Sequence, residues 1–173
     1  MITLKTPICS FDAKTGILCT KCETKLKSGH LTLVDVEVAI KLTKLAERNQ
    51  DINKFTMVGA AKVDGDFVLT LRGVDIIMLR SDAALLRKLE DEFKSKVWFV
   101  EAEGSDRRFI ENLFFPTNIQ TINLVWLPDG NKLTKVIISS GKNTRSRIAV
   151  EKIQKIAKAV RNIELLVEFE QQN

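Results

Sequence analysis

An α+β fold, with a cysteine-bearing N-terminal segment followed by two tandem copies of one α-β-β-α-β unit, is what this sequence of 173 residues predicts. Three observations predict it. Two Asp-Gly pairs, Asp64-Gly65 and Asp129-Gly130, each lie between strand-like stretches, a common short hairpin signature. After each hairpin comes a helical pattern that leads into a further strand, over residues 97–101 and 163–169. The hairpin glycines are 65 residues apart and the final strands start 66 apart, so two independent landmarks keep step as duplication of one unit requires.

Taken in chain order, residues 1–30 form a first segment, residues 31–103 the first unit and residues 104–173 the second. The first unit opens with a helix over residues 33–48, for which Thr32 or Ser28 is the candidate cap. Its hairpin joins MVGAAKV to FVLTLRG, and its second helix, residues 83–94, places Leu86, Leu89 and Phe93 on one face. Phe114-Phe115-Pro116 ends the next helix, residues 105–114 capped by Ser105, because the residue before a proline is pushed out of helical conformation. The second hairpin joins INLVWL to LTKVIIS, and the helix over residues 147–161 turns Ile153, Ile156 and Val160 to one side. Trp98 and Trp126 both fall in strands among apolar neighbours and are expected to pack in the core.

At 45% hydrophobic and 28% charged residues the chain has enough apolar surface to bury a core, and disorder is not expected. It has no stretch near the roughly 18 apolar residues of a membrane span, and the N-terminus does not begin as a signal peptide does. A soluble, cytoplasmic protein is expected. Its three cysteines, Cys9, Cys19 and Cys22, fall within fourteen residues, an odd number that suits a reducing compartment and a metal better than disulfides.

Cys9-x-x-Asp12 and Cys19-x-x-Cys22 flank a Lys-Thr-Gly turn, a spacing that lets two knuckles converge on one tetrahedral ion. A structural zinc is expected, with Asp12 and His30 as the two candidates for the fourth ligand. The competing reading is three buried cysteines acting as small hydrophobes.

The net charge of +5 is unevenly spread. Residues 64–103 hold nine acids against six bases, whereas residues 131–161 hold nine bases against one acid. Lys152, Lys155, Lys158 and Arg161 recur every third residue along the last helix, continuing a loop that holds Lys142, Arg145 and Arg147. Such a stripe is usually a solvated face; here its density also points to an anionic partner. Catalysis is not expected: the chain has one histidine and lacks a nucleophile elbow, a phosphate loop and a dinucleotide fingerprint.

The stretches TGILCTKC, LLRKLEDEFKSKVWFVE and ENLFFPTNI, with two such units in series, make the chain similar to the archaeal NusA-like KH proteins, and the likeness spans nearly its whole length. The resemblance implies type II KH-like units, single-stranded RNA as ligand, and a role near transcription or translation on RNA polymerase or the ribosome. In that family the residue at position 12 is typically a fourth cysteine.

A KH unit clamps the nucleotide backbone with a Gly-x-x-Gly loop. The corresponding positions here read Arg80-Ser81-Asp82-Ala83 and Thr144-Arg145-Ser146-Arg147, without those glycines. RNA contact is therefore expected from side-chain charge in the second unit, on Lys142, Arg145, Arg147, Lys152 and Lys155, with the acidic first unit structural or protein-binding. The rival expectation is a protein-interaction adaptor docking on polymerase, ribosome or a nuclease. No membrane and no small-molecule substrate is expected.

Overall fold

Both Asp-Gly pairs turn the chain, by different means. Asp64 and Gly65 take φ of 49° and 84°, the paired positive values of a two-residue hairpin turn, and join Val63 to Asp66. The second pair is preceded by Pro128, which has no N–H to donate across such a turn and cannot take positive φ. There the Leu127 N–H donates to the Asn131 carbonyl at 2.8 Å and the Gly130 N–H to the Leu127 carbonyl at 3.0 Å, so Pro128, Asp129 and Gly130 form a three-residue loop.

The computed structural model describes residues 3–139 and 149–170. Strands β1 (Met57–Val63) and β2 (Asp66–Leu71) pair antiparallel, and β3 (Val97–Glu101) lies parallel to β2. In the second sheet β4 (Ile119–Trp126) and β5 (Lys132–Ser139) pair antiparallel, and β6 (Leu165–Glu170) lies parallel to β5. Each sheet has its strands in chain order, and each register slips near the start of its first strand, between Met57 and Gly59 and between Ile119 and Thr121. The α+β class and the repeated topology are those that the offsets predict. The chain divides into two compact units, Met1–Glu103 and Gly104–Asn173.

The first unit begins with two short helices, α1 (Ser10–Thr15) and α2 (Thr20–Lys27), followed by α3 (Leu33–Ala46). Thr32 and Asp35 form a reciprocal capping box at the start of α3, so Thr32 rather than Ser28 is its cap. Behind the hairpin stand two helices, α4 (Gly73–Ser81) and α5 (Ala83–Phe93), where the sequence predicts one. The β-branched run around Val74, Ile76 and Ile77 hides α4 from a propensity reading. Its start is fixed by tertiary bonding: buried Asp75 accepts from the Thr56 N–H at 2.9 Å and from the Arg72 guanidinium at 2.9 and 3.0 Å.

Val38 and Leu42 of α3, Leu69 of β2, Leu79 of α4 and Leu89 of α5 meet in one apolar cluster. Ile8, Ala13 and Cys22 belong to the same cluster, so the N-terminal segment shares the first unit's core. Leu85, not Leu86, is the buried leucine at the start of the α5 face, at i, i+4 spacing to Leu89 and Phe93.

The second unit comprises α6 (Asp106–Phe114), capped by Ser105, then β4, β5, α7 (Val150–Arg161) and β6. Phe109, Ile110 and Leu113 of α6 and Ile153 and Ile156 of α7 are buried with Val136 and Ile138 of β5. Lys142, Arg145 and Arg147 lie outside the described residues. Among the described residues, no helix is long and apolar enough to cross a membrane.

Candidate metal centre and basic helix

The four predicted ligands occupy equivalent places in two helical turns. Cys9 and Cys19 are the residues before α1 and α2, with nearly identical backbone angles of −71°, 157° and −73°, 165°. Each carbonyl accepts the first bond of its helix, from the Ala13 N–H at 3.0 Å and the Glu23 N–H at 2.9 Å. A residue in that position and the one three further on turn their side chains toward each other, as in a capping box. Each Cys-x-x-Asp or Cys-x-x-Cys is therefore a pair of converging donors, and the ligand atoms of Cys9, Asp12, Cys19 and Cys22 all lie within 4.8 Å of one another. Tetrahedral zinc with Zn–S near 2.3 Å needs sulfurs about 3.8 Å apart, so only a small contraction is required.

Asp12 tests whether this set fits a cation. The buried carboxylates Asp12, Asp35 and Asp75 all sit at the third position of a helix. Asp35 gives one oxygen to the Thr32 N–H at 2.9 Å and the other to the Ala60 N–H at 2.7 Å. Both Asp75 oxygens are likewise taken, by Thr56 and Arg72. Asp12 Oδ2 accepts from the Cys19 N–H at 2.9 Å, but its Oδ1 is buried without a hydrogen-bond partner. An acceptor left open beside three sulfurs fits a metal ion, and the cluster can hold one.

The charge states follow from this packing. The Cys19 N–H, and after it the Cys22 thiol, lower the Asp12 pKa to about 2 against the opposing effect of burial. Burial, reinforced by the Asp12 carboxylate, pushes the Cys22 thiol up to about 12. His30 hydrogen-bonds Ser28 Oγ through Nδ1 at 2.8 Å and is not part of the cluster, so Asp12 is the residue gathered with the sulfurs.

In the first unit one non-helical residue separates α4 from α5, Asp82, whose carboxylate accepts from the Leu85 N–H at 3.1 Å and caps α5. In the second unit, Lys155 is exposed on α7 and Lys152 half-buried. The stripe they begin is less open than its sequence suggests. Lys158 pairs with Glu164 at 2.8 Å and Arg161 with Asp106 at 3.0 Å. Arg161 also donates to the Gly104 carbonyl at 3.0 Å and covers the Phe109 ring at 4.7 Å. These acids come from outside the helix, so helical spacing alone could not reveal them.

The two tryptophans also part company. Trp98 is buried and donates through Nε1 to Asp66 at 3.1 Å. Trp126, expected in the core, is 62% exposed at the end of β4, with the Lys132 ammonium 4.6 Å from its ring. It pairs with Lys132 beside the three-residue loop, where the second hairpin continues past the Thr134–Leu165 end of the β5–β6 ladder.

No protein-family model matches this chain, and no curated protein does. Among solved structures, the crystal structure of APE1850 aligns with it at 13% identity, covering 75% of this chain and 95% of that one, with a TM-score of 0.49.

Proposed function

We propose that this protein is a non-catalytic RNA-binding accessory factor of transcription or translation, with two type II KH-like units and a structural zinc held by Cys9, Asp12, Cys19 and Cys22. The observation that carries the RNA reading is the concentration of nine bases against one acid in residues 131–161. The phosphate contacts of this reading are Lys142, Arg145, Arg147, Lys152 and Lys155, from the loop and the first turns of the basic helix. The repeated order of helix, antiparallel strand pair, helix and parallel strand agrees with a KH-like plan. Zinc would supply a fixed crosslink between the two knuckle turns; a catalytic role would need an open coordination position.

A protein-adaptor role for the first unit has its own support. Val74 and Ile77 are exposed on α4, just before a clamp position that now carries the capping Asp82. Fluorescence anisotropy with single-stranded RNA at several salt concentrations tests the main reading. Alanine at Lys142, Arg145 and Arg147 together should lower the salt slope by about 2, at about 0.7 per phosphate contact on a single strand, while the fold is kept. Wild-type binding weaker than about 10⁻⁴ M in low salt refutes RNA binding and leaves the adaptor.

A further inference from the structure

Phe11 and Ile17 are 69% and 72% exposed, although both sit within the knuckle that buries Ile8, Ala13 and Cys22 in the first unit's core. Their backbones are joined through one hydroxyl: Thr15 Oγ1 donates to the Phe11 carbonyl at 3.0 Å and accepts from the Ile17 N–H at 3.3 Å. Phe11 directly precedes the Asp12 ligand, and Ile17 lies two residues before Cys19. An ion that closes the cluster would therefore also fix the backbone on which this apolar pair stands.

The charged neighbours are mostly of one sign. Lys14 follows Phe11 by three residues, on the same side of α1. Lys21 takes in α2 the place that Phe11 takes in α1, two residues past the capping cysteine, and Lys25 lies one turn further on. All three lysines are exposed, and among the described residues none has an acidic partner. The acid exposed on α2 is Glu23, which pairs with Lys27 at 3.9 Å.

Two exposed apolar side chains in a segment that also exposes three lysines make a poor protein interface, which takes about 800 Å² per partner and is depleted in lysine. They suit a single nucleic-acid strand, whose bases stack on an aromatic face while its phosphates meet the ammonium groups. We infer that the knuckle is itself a single-strand RNA contact, in which a base stacks on Phe11 against Ile17 and the flanking phosphates lie on Lys14, Lys21 and Lys25. This inference rests on the RNA-binding reading above but uses a different surface, so the two can fail separately.

The test uses the full chain, purified with its metal, and a fluorescein-labelled oligouridylate of about 12 nucleotides. Phe11→Ala should weaken binding about five- to a hundredfold with the salt slope unchanged, because stacking releases no counterions. The double change Lys14→Ala and Lys21→Ala should instead lower the slope by about 1.4. Metal content and circular dichroism are checked on both variants, and Phe11→Trp, which keeps a stacking face, should restore affinity. If the Phe11→Ala and lysine variants bind within twofold of wild type while the Lys142, Arg145 and Arg147 variant loses binding, the knuckle contact is overturned and the second-unit surface stands. The reverse pattern keeps the knuckle contact and removes the other. A wild type that does not bind the strand overturns both.

Discussion

A carboxylate at the third position of a helix faces that helix's own unpaired amides, and what reaches its second oxygen decides whether it becomes a brace or a ligand. In Asp35 the second oxygen ties α3 to β1 through the Ala60 N–H, and in Asp75 it takes the Arg72 guanidinium. In Asp12 nothing does. The protonation states then make a countable prediction. Asp12, held at about 2, is already ionised at pH 7, whereas the Cys22 thiol, pushed up to about 12, must lose its proton to bind zinc. Adding zinc to chelated protein at pH 7 should therefore release protons, counted by calorimetry in buffers of different ionisation enthalpy. The Asp12→Cys variant should release about one more than the wild type, because an ionised carboxylate is replaced by a thiol; an equal count from both would remove position 12 from the ligand set. Because metal binding needs the deprotonated thiol, the Cys22 value near 12 also means that zinc affinity should fall as the pH falls.

Among the elements, the two hairpins show how far one pattern can diverge under a single local constraint. Asp64-Gly65 closes in two residues, so the first hairpin ends where its sheet ends. Pro128 forces the three-residue loop of the second, and Trp126 beside it stands in solvent. Trp98 has the opposite surroundings, with its indole N–H on Asp66 and its ring beneath the Lys96 ammonium at 4.0 Å. In urea denaturation, Trp98→Ala should cost about 3 kcal/mol, the usual range for a buried aromatic truncation. Trp126→Ala should stay within about 0.5 kcal/mol, as surface changes do. Similar losses at the two positions would mean that Trp126 is packed.

For the whole molecule, a metal held by the cluster would be coupled to the fold of the first unit, because Cys22 is at once a candidate ligand and a member of the cluster that contains Val38, Leu42 and Phe93. Losing the ion should loosen the core as well as the knuckle. Trp98, buried in that unit, is the reporter. Its emission should shift at a lower urea concentration in chelated protein, by about 3 kcal/mol when free zinc exceeds its Kd a hundredfold. A midpoint unmoved by zinc would mean that no metal is bound there.

The sequence by itself determined the α+β class, the repeated order of strands and the pairing of Cys9 and Cys19 with the residues three further on, since each rests on signals local in the chain. Hairpin turns, helical spacing and Cys-x-x-Cys geometry act over a few residues, and the chain shows them directly. Only the tertiary structure decided the rest. The start of α4 depends on Asp75 meeting Thr56, nineteen residues away in sequence. The openness of the α7 stripe depends on Asp106, which lies 55 residues from Arg161. Asp12 was separated from His30 as the partner of the sulfurs by the way α1 and α2 fold together. The exposure of Phe11, Ile17 and Trp126 follows from where the core stops, and apolar residues that share one composition divide between core and surface only when the layers that cover them are in place.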